Sequence, residues 1–132
     1  MLRYFFRRLR KNEDGASAVE FAVVALILIT MIFGIIEFGW ILNGYITLTT
    51  AVREGARMAI VSDVNDEAKI KDLVIGYAAT FQLAPSDVHI DWADADKNET
   101  TVRVEQGELP LLVGFLGKSV RLSAAADMWQ EQ

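Results

Sequence analysis

An acidic stretch in the second half of the chain has the spacing of a calcium-binding loop. Asp94, Asp96 and Asn98 occupy positions 1, 3 and 5 of a D-x-D-x-N pattern, and Glu105 falls at position 12. Position 6, where the sharp turn requires glycine, is Glu99, and the flanking residues alternate as strands do. The sequence therefore favours a solvated acidic turn over a metal site, with calcium binding as the alternative.

Other residues that could carry out catalysis are few. The chain has no cysteine and one histidine, His89, which lies between Val88 and Ile90 on the polar side of an expected strand. Thiol catalysis and zinc sites rich in histidine are thereby excluded. The sequence favours a protein that is not an enzyme and that holds no cofactor.

Glu20 stands one residue before a long apolar run. Residues 21–40 read FAVVALILITMIFGIIEFGW, in which Glu37 is the only charge. About 20 helical residues, at roughly 1.5 Å each, span the hydrocarbon core of a bilayer. The run therefore predicts a transmembrane helix. A carboxylate at its start, such as Glu20, interacts favourably with the helix dipole.

Glu37 lies near the far end of this run and has two interpretations. The favoured one is a solvated charge near the outer headgroups, and the alternative is a contact with another subunit within the membrane. The neighbouring aromatic residues Phe38, Trp40 and Tyr45 are typical of an aromatic belt at the outer membrane interface.

The distribution of charge predicts the orientation of the span. Of the 13 Lys and Arg residues, five precede Gly15, where the only acidic residues are Glu13 and Asp14. Basic residues beside a span stay in the cytoplasm, so the N-terminus is expected inside. From Ala16 onward there are 8 basic and 16 acidic residues, which argues against nucleic-acid binding because phosphates require a basic face.

A cleaved secretory signal is the alternative explanation for a basic segment followed by an apolar one. The apolar run is longer than the roughly 7–15 residues of such a signal. No A-x-A-like cleavage site follows it near a polar boundary. We therefore expect a retained span.

The apolar pattern continues beyond the span and predicts one long helix from about Ser17 to about Val61. The apolar positions of its second half are Ile41, Leu42, Tyr45, Ile46, Leu48, Val52, Ala56, Ala59 and Ile60. The glycines at 34, 39 and 44 are too widely spaced for a GxxxG face. They either permit bending or close approach, or reflect the higher frequency of glycine in membrane helices. Arg53, Glu54 and Arg57 form a charged face, which is either solvated or a candidate docking site for a partner.

The remaining residues predict a small external module. Asp66 is the expected N-cap of a second, amphipathic helix that ends before Pro85. Its apolar positions are Ile70, Leu73, Val74, Tyr77 and Phe81. Alternation in Val88–Trp92 and at Val102 and Val104 predicts a hairpin across the turn-rich residues 93–99. Residues 109–116 are expected to form an apolar connection before a last strand over about 120–128. The predicted fold class is α+β, with a helix packed on about three antiparallel strands.

The residues around Glu20 resemble the processing site of type IV prepilins, in particular the Flp/Tad (tight adherence) branch. Gly15 matches the residue before the cut, Ala16 the new N-terminus, and Glu20 the fifth residue of the mature chain. Phe21 stands where that branch has an aromatic residue after the glutamate. The blocks FGIIEFG (33–39) and REGARMA (53–59) resemble TadE-like proteins, so the resemblance covers about residues 15–60.

This resemblance implies three parts of the chain: a basic leader at 1–15, a transmembrane helix at 16–42 and an external domain at 43–132. A membrane prepilin peptidase would cut after Gly15, where glycine permits an extended backbone. Glu20 would then pair with the free amine of a neighbouring subunit, because a carboxylate among packed apolar helices is costly unless paired. Glu20 and Phe21 are thus the expected assembly residues.

Three functions follow from these features. The first, favoured by the resemblance, is a minor pilin or pseudopilin in Flp (Tad) pilus assembly. Its implied partners are the membrane, the prepilin peptidase, other pilins or pseudopilins and the Tad secretion machinery. Its implied location is the inner membrane, with a periplasmic C-terminal domain. The second is an unprocessed membrane-anchored adaptor with an acidic binding domain, and the third is a binding module that uses metal in the Asp94–Glu105 loop.

Overall fold

The computed structural model describes residues 13–62, 66–92, 99–114 and 117–129, with the backbone alone at 13 and 14. It divides into two compact units, Met1–Ile36 and Glu37–Gln132. The elements are two α-helices, a short 3-10 turn and three strands. Their bounds are α1 Glu13–Val61, α2 Glu67–Tyr77, the 3-10 turn Pro85–Asp87, β1 Val88–Asp91, β2 Glu99–Pro110 and β3 Ser119–Trp129. The predicted α+β class is confirmed.

The predicted long helix is confirmed as α1, which begins at Glu13 and ends at Val61. Its start lies before the predicted Ser17, in keeping with the favourable interaction of the acidic residues Glu13 and Asp14 with a helix N-terminus. The apolar side chains from Phe21 to Ile36 are exposed on every side of the helix. A helix that is apolar all round requires an apolar environment. In the described residues, this one helix is long and apolar enough to cross a membrane.

The second half of α1 is buried along one face only. The fully buried residues on this face are Leu48, Ala51, Val52, Ala56 and Ala59. Leu42, Tyr45 and Ile46, which the spacing had also assigned to the stripe, remain about half exposed. The core-facing stripe is therefore narrower than predicted and consists largely of small residues.

Helix α2 begins after Asp66, as predicted, and buries Ile70 and Val74. Asp66 makes no capping hydrogen bond, and its carboxylate pairs with Lys69. The helix ends at Tyr77, four residues before Phe81, the last apolar position predicted for it. Phe81 is nevertheless buried in the core, and its N–H donates to the carbonyl oxygen of Ala78 in the turn that follows.

The three strands form an antiparallel sheet in the order β1–β2–β3, which confirms the predicted hairpin and last strand. The expectation of a connection from Leu109 onward is wrong at its start, because β2 continues to Pro110 and buries Leu109 completely. A register shift between Val104 and Gly107 is the physical reason. It moves the core-facing positions from 102 and 104 to 107 and 109, so that simple alternation fails.

Helices α1 and α2 approach closely at Gly55. A Cβ atom at Gly55 would lie 2.5 Å from Cγ2 of Val74 and 3.4 Å from Cγ1 of Val102. Val74 is β-branched and has little rotamer freedom with which to move away. The glycine therefore sets the distance at which α2 and the sheet pack on α1.

Gly55→Ala is expected to destabilise the protein. Overpacking costs about 1–3 kcal/mol, which exceeds the roughly 1 kcal/mol by which alanine favours a helix over glycine. Gly76→Ala in α2 is the matched control, since a methyl group added there would meet no atom within 4 Å. Thermal unfolding of the detergent-solubilised chain should show a lower Tm for the first variant and a higher Tm for the second. A Tm raised by both would contradict the close approach.

Candidate processing and assembly site

The predicted processing residues lie in the first turns of α1. Gly15 and Ala16 are exposed, and both are helical. The extended backbone expected at Gly15 is therefore not observed, because helical hydrogen bonding begins upstream of it at Glu13. A peptidase that requires an extended substrate would have to unwind this first turn before cutting.

The predicted assembly residues follow one turn later. Ala16 and Glu20 are four residues apart, so they are neighbours on one face of α1. Glu20 is exposed and makes no hydrogen bond or ion pair with the part of the chain that the structure describes. Phe21, 74% exposed, projects beside it. The carboxylate and the ring are thus both accessible to another molecule.

Arg53, Glu54 and Arg57 lie on the second half of α1. Both arginines are exposed, and Glu54 is half-buried. Among the described residues none of the three forms an ion pair, whereas Lys71 is paired with Glu67 at 2.7 Å on α2. The guanidinium groups therefore keep their donors available for an acceptor outside the chain.

Glu37 occupies a position that neither of its sequence interpretations anticipated. It is completely buried, and its Oε2 accepts a hydrogen bond of 2.9 Å from the backbone N–H of Val113. Its Oε1 is also buried and has no partner among the described residues. The alternative, a contact with another subunit, stays a prediction. The favoured expectation of a solvated charge is wrong, because the carboxylate is completely buried. The physical reason is that the segment after β2 folds back over this carboxylate.

Two neighbours of Glu37 on α1 contact the same segment. The indole N–H of Trp40 donates to the carbonyl oxygen of Pro110 at 2.9 Å, so Trp40 holds the end of β2. A Cβ at Gly44 would lie 2.5 Å from Cδ2 of Leu109, which confirms that one of the three spaced glycines serves close approach. Positions 37, 40 and 44 share one helix face. We call these three residues the α1 clamp. Their spacing of three and four was the signal that sequence reasoning missed.

The acidic loop is only partly described. Asp94, Asp96 and Asn98 lie outside the described residues, so the calcium hypothesis stays a prediction. Glu105 is exposed on β2, where its Oε1 lies 3.3 Å from Nε of Arg103. Across the described ranges, no group of three or more acidic or histidine side chains could hold a metal ion.

His89 is half-buried on β1, where it faces Arg103 of β2 in the strand register. Arg103 in turn pairs with Asp91 at 3.5 Å and with Glu105. These contacts lie on an exposed, charged surface of the sheet. They need no ligand to account for them.

The described fold defines an α+β protein that has a single N-terminal helix able to cross a membrane. Residues 15–57 match the family model described as TadE-like protein. Over this segment the chain resembles TadE-like proteins, which confirms the TadE-like resemblance drawn from its motifs. The match begins at Gly15 and includes Glu20, Phe21 and the charged residues from Arg53 to Arg57. It indicates a protein associated with the Tad pilus. No curated protein and no solved structure matches the chain.

Glu37→Leu is expected to release the Val113 amide, because leucine has no acceptor. A hydrogen bond to a charged group contributes about 1.5–3 kcal/mol, so amide exchange at Val113 should accelerate by at least about tenfold. Glu37→Gln keeps a side-chain acceptor and is the matched control, which should retain most of the protection. The measurement is residue-resolved hydrogen exchange by NMR in micelles. The Gln82 amide, bonded to Glu108, is the internal reference. Equal Val113 exchange in all three proteins would contradict the role assigned to Glu37.

Proposed function

We propose that the protein is a minor pilin or pseudopilin of the Flp (Tad) pilus, processed by a prepilin peptidase after Gly15. The observation that carries this proposal is Glu20. It is an exposed carboxylate, unpartnered among the described residues, at the start of an apolar helix and inside the TadE-like segment. In a filament of packed apolar helices such a carboxylate needs a cationic partner. The amine created at Ala16 of a neighbouring subunit is of the right charge.

The proposed parts of the chain follow from this role. Residues 1–15 form a basic leader on the cytoplasmic side, residues 16–42 span the inner membrane, and residues 43–132 form the periplasmic domain. The basic residues before Gly15 support this orientation, since such residues are retained in the cytoplasm. After the cut, the free amine of Ala16 would lie just outside the apolar zone.

The proposed role is structural and not enzymatic. Its partners are the prepilin peptidase, other pilins or pseudopilins and the Tad secretion machinery, and nucleic acid is not among them. The guanidinium groups of Arg53 and Arg57, exposed and without an ion pair among the described residues, support a docking face for a partner that carries carboxylates. Glu54, between them, favours a partner with mixed charge.

A second function, an unprocessed membrane-anchored adaptor, is favoured by one specific observation. Gly15 lies inside α1 and not in an extended segment. If the peptidase does not unwind this turn, the basic segment stays attached to the anchor. The domain from Glu37 onward would then act on its partners from the membrane surface.

Cleavage is tested by the intact mass of the protein extracted from membranes. We expect the wild-type chain to begin at Ala16 and a Gly15→Ala variant, or a strain lacking the prepilin peptidase, to retain Met1. The physical reason is that the peptidase needs a residue without a Cβ before the bond, so that the backbone can enter an extended conformation. A Ser17→Ala variant is the control and should be cut normally. A chain beginning at Met1 in every background would support the adaptor.

Glu20→Ala is expected to separate processing from assembly. Cleavage at Gly15 should persist, because the glycine is unchanged, whereas pilus assembly or subunit stability should fall because the amine of the neighbouring subunit loses its carboxylate. Glu20→Asp, which keeps the charge on a shorter side chain, should retain part of the pilus yield. The measurements are intact mass and pilus yield on the cell surface. Normal piliation in Glu20→Ala would contradict the assembly role proposed for Glu20.

A further inference from the structure

The turn between β2 and β3 exposes apolar side chains. Its described residues are 111–114 and 117–118, and a hydrogen bond of 3.1 Å joins the Leu111 N–H to the Lys118 carbonyl oxygen. Leu112 and Val113 are 60% and 42% exposed. Outside α1, they are the one adjacent pair of exposed large apolar residues in the described part of the chain. Neither side chain is needed to fill the core.

The contacts of the α1 clamp fix where this turn lies along the helix. Leu109 packs at Gly44, Pro110 bonds to Trp40, and Val113 bonds to Glu37. At a rise of about 1.5 Å per residue, the segment descends about 10 Å along α1 towards its N-terminus. Glu37 is the fourth residue from the end of the apolar run 21–40. Along the axis of α1, Val113 therefore lies beside the last turn of the apolar run.

From this placement we propose that Leu112 and Val113 insert into the outer interface of the lipid bilayer beside α1. The hydrogen bond from Val113 to Glu37 holds the turn at that depth. The proposal rests on the membrane anchoring proposed above. It assigns lipid as the occupant of the exposed apolar surface formed by Leu112 and Val113.

The chemistry of Glu37 favours lipid over a second protein as this occupant. A carboxylate at the edge of the hydrocarbon core is costly when it faces lipid. Here the backbone of the turn covers the Glu37 carboxylate. The lipid would therefore contact the outer side of the turn and not the carboxylate. An apolar outer side suits that position. Lys118, exposed at the base of the turn, suits the phosphate groups above it.

The depth of the turn is measurable because the chain has no cysteine. Single-cysteine variants of the full chain, each carrying a nitroxide label, are placed in vesicles of phosphatidylcholine and phosphatidylglycerol. Relaxation by oxygen reports lipid, and relaxation by a water-soluble nickel chelate reports solvent. The variants are L112C and V113C in the turn, L28C in the apolar run and S123C on the exposed side of β3. We expect the two turn labels to favour oxygen as L28C does, and S123C to favour nickel.

The outcomes separate this proposal from the anchoring on which it rests. Nickel access at L112C and V113C equal to that at S123C, with L28C in lipid, would overturn insertion and leave the anchor intact. The same result is expected if a protein partner covers the turn, since the vesicles contain none. Nickel access at L28C would overturn both.

The role of the Glu37 bond is tested in the same vesicles. Glu37→Leu added to L112C should raise nickel access at the label, because the turn loses the acceptor that holds the Val113 amide. Glu37→Gln added to L112C should leave the depth unchanged. A label that stays equally deep with Glu37→Leu would contradict the role of the Glu37 bond in holding the turn. The insertion of Leu112 and Val113 would be unaffected by that result.

Discussion

One continuous helix has to satisfy two environments, and the rest of the structure follows from this constraint. Between Phe21 and Ile36, α1 is apolar on every side and buries none of these side chains within the chain. After Glu37 the same helix buries one face and leaves the other open. A continuous helix can pass from one environment to the other only if its side-chain pattern changes along its length. Its backbone hydrogen bonding continues without a break. The pattern changes within the last turn of the apolar run, where the α1 clamp begins.

The core is built by small residues on α1 and larger residues on its partners. Ala51, Gly55, Ala56 and Ala59 let the backbone of α1 come close to α2 and to the sheet. The volume is then filled by branched side chains from the other elements: Ile70, Val74, Val88, Val102, Val104 and Leu109. Such packing makes the distance between helices sensitive to a single methyl group, as at Gly55.

Local sequence patterns predicted which helices and strands exist better than they predicted the residues at which those elements begin and end. The spacing of apolar residues was enough for α1, for the start of α2 and for the hairpin, since each depends on residues that are close in sequence. The extension of β2 to Pro110 was missed because the register shift after Val104 interrupts strand alternation. The burial of Glu37 was missed because its partner, Val113, lies 76 residues away. The spacing of residues 37, 40 and 44 marks a shared helix face, but no local pattern identifies the distant residue that this face contacts. Asp94, Asp96 and the charged face at Arg53 were found as candidates by residue type and spacing, whereas the roles of Gly15 and Glu20 were implied by the resemblance to prepilins. All of these roles depend on molecules outside the chain.

Glu20 and Glu37 stand at opposite ends of one apolar run and differ in how their charges are accommodated. Glu37 is buried and finds a backbone donor within its own chain. Glu20 is exposed and finds none among the described residues. A carboxylate that is already held by its own fold contributes to the position of the domain, whereas one left open is available to a neighbour. This difference is the physical reason to assign assembly to Glu20 and the placement of the β2–β3 turn to Glu37, although both occur in the same kind of sequence, a single acidic residue beside apolar ones.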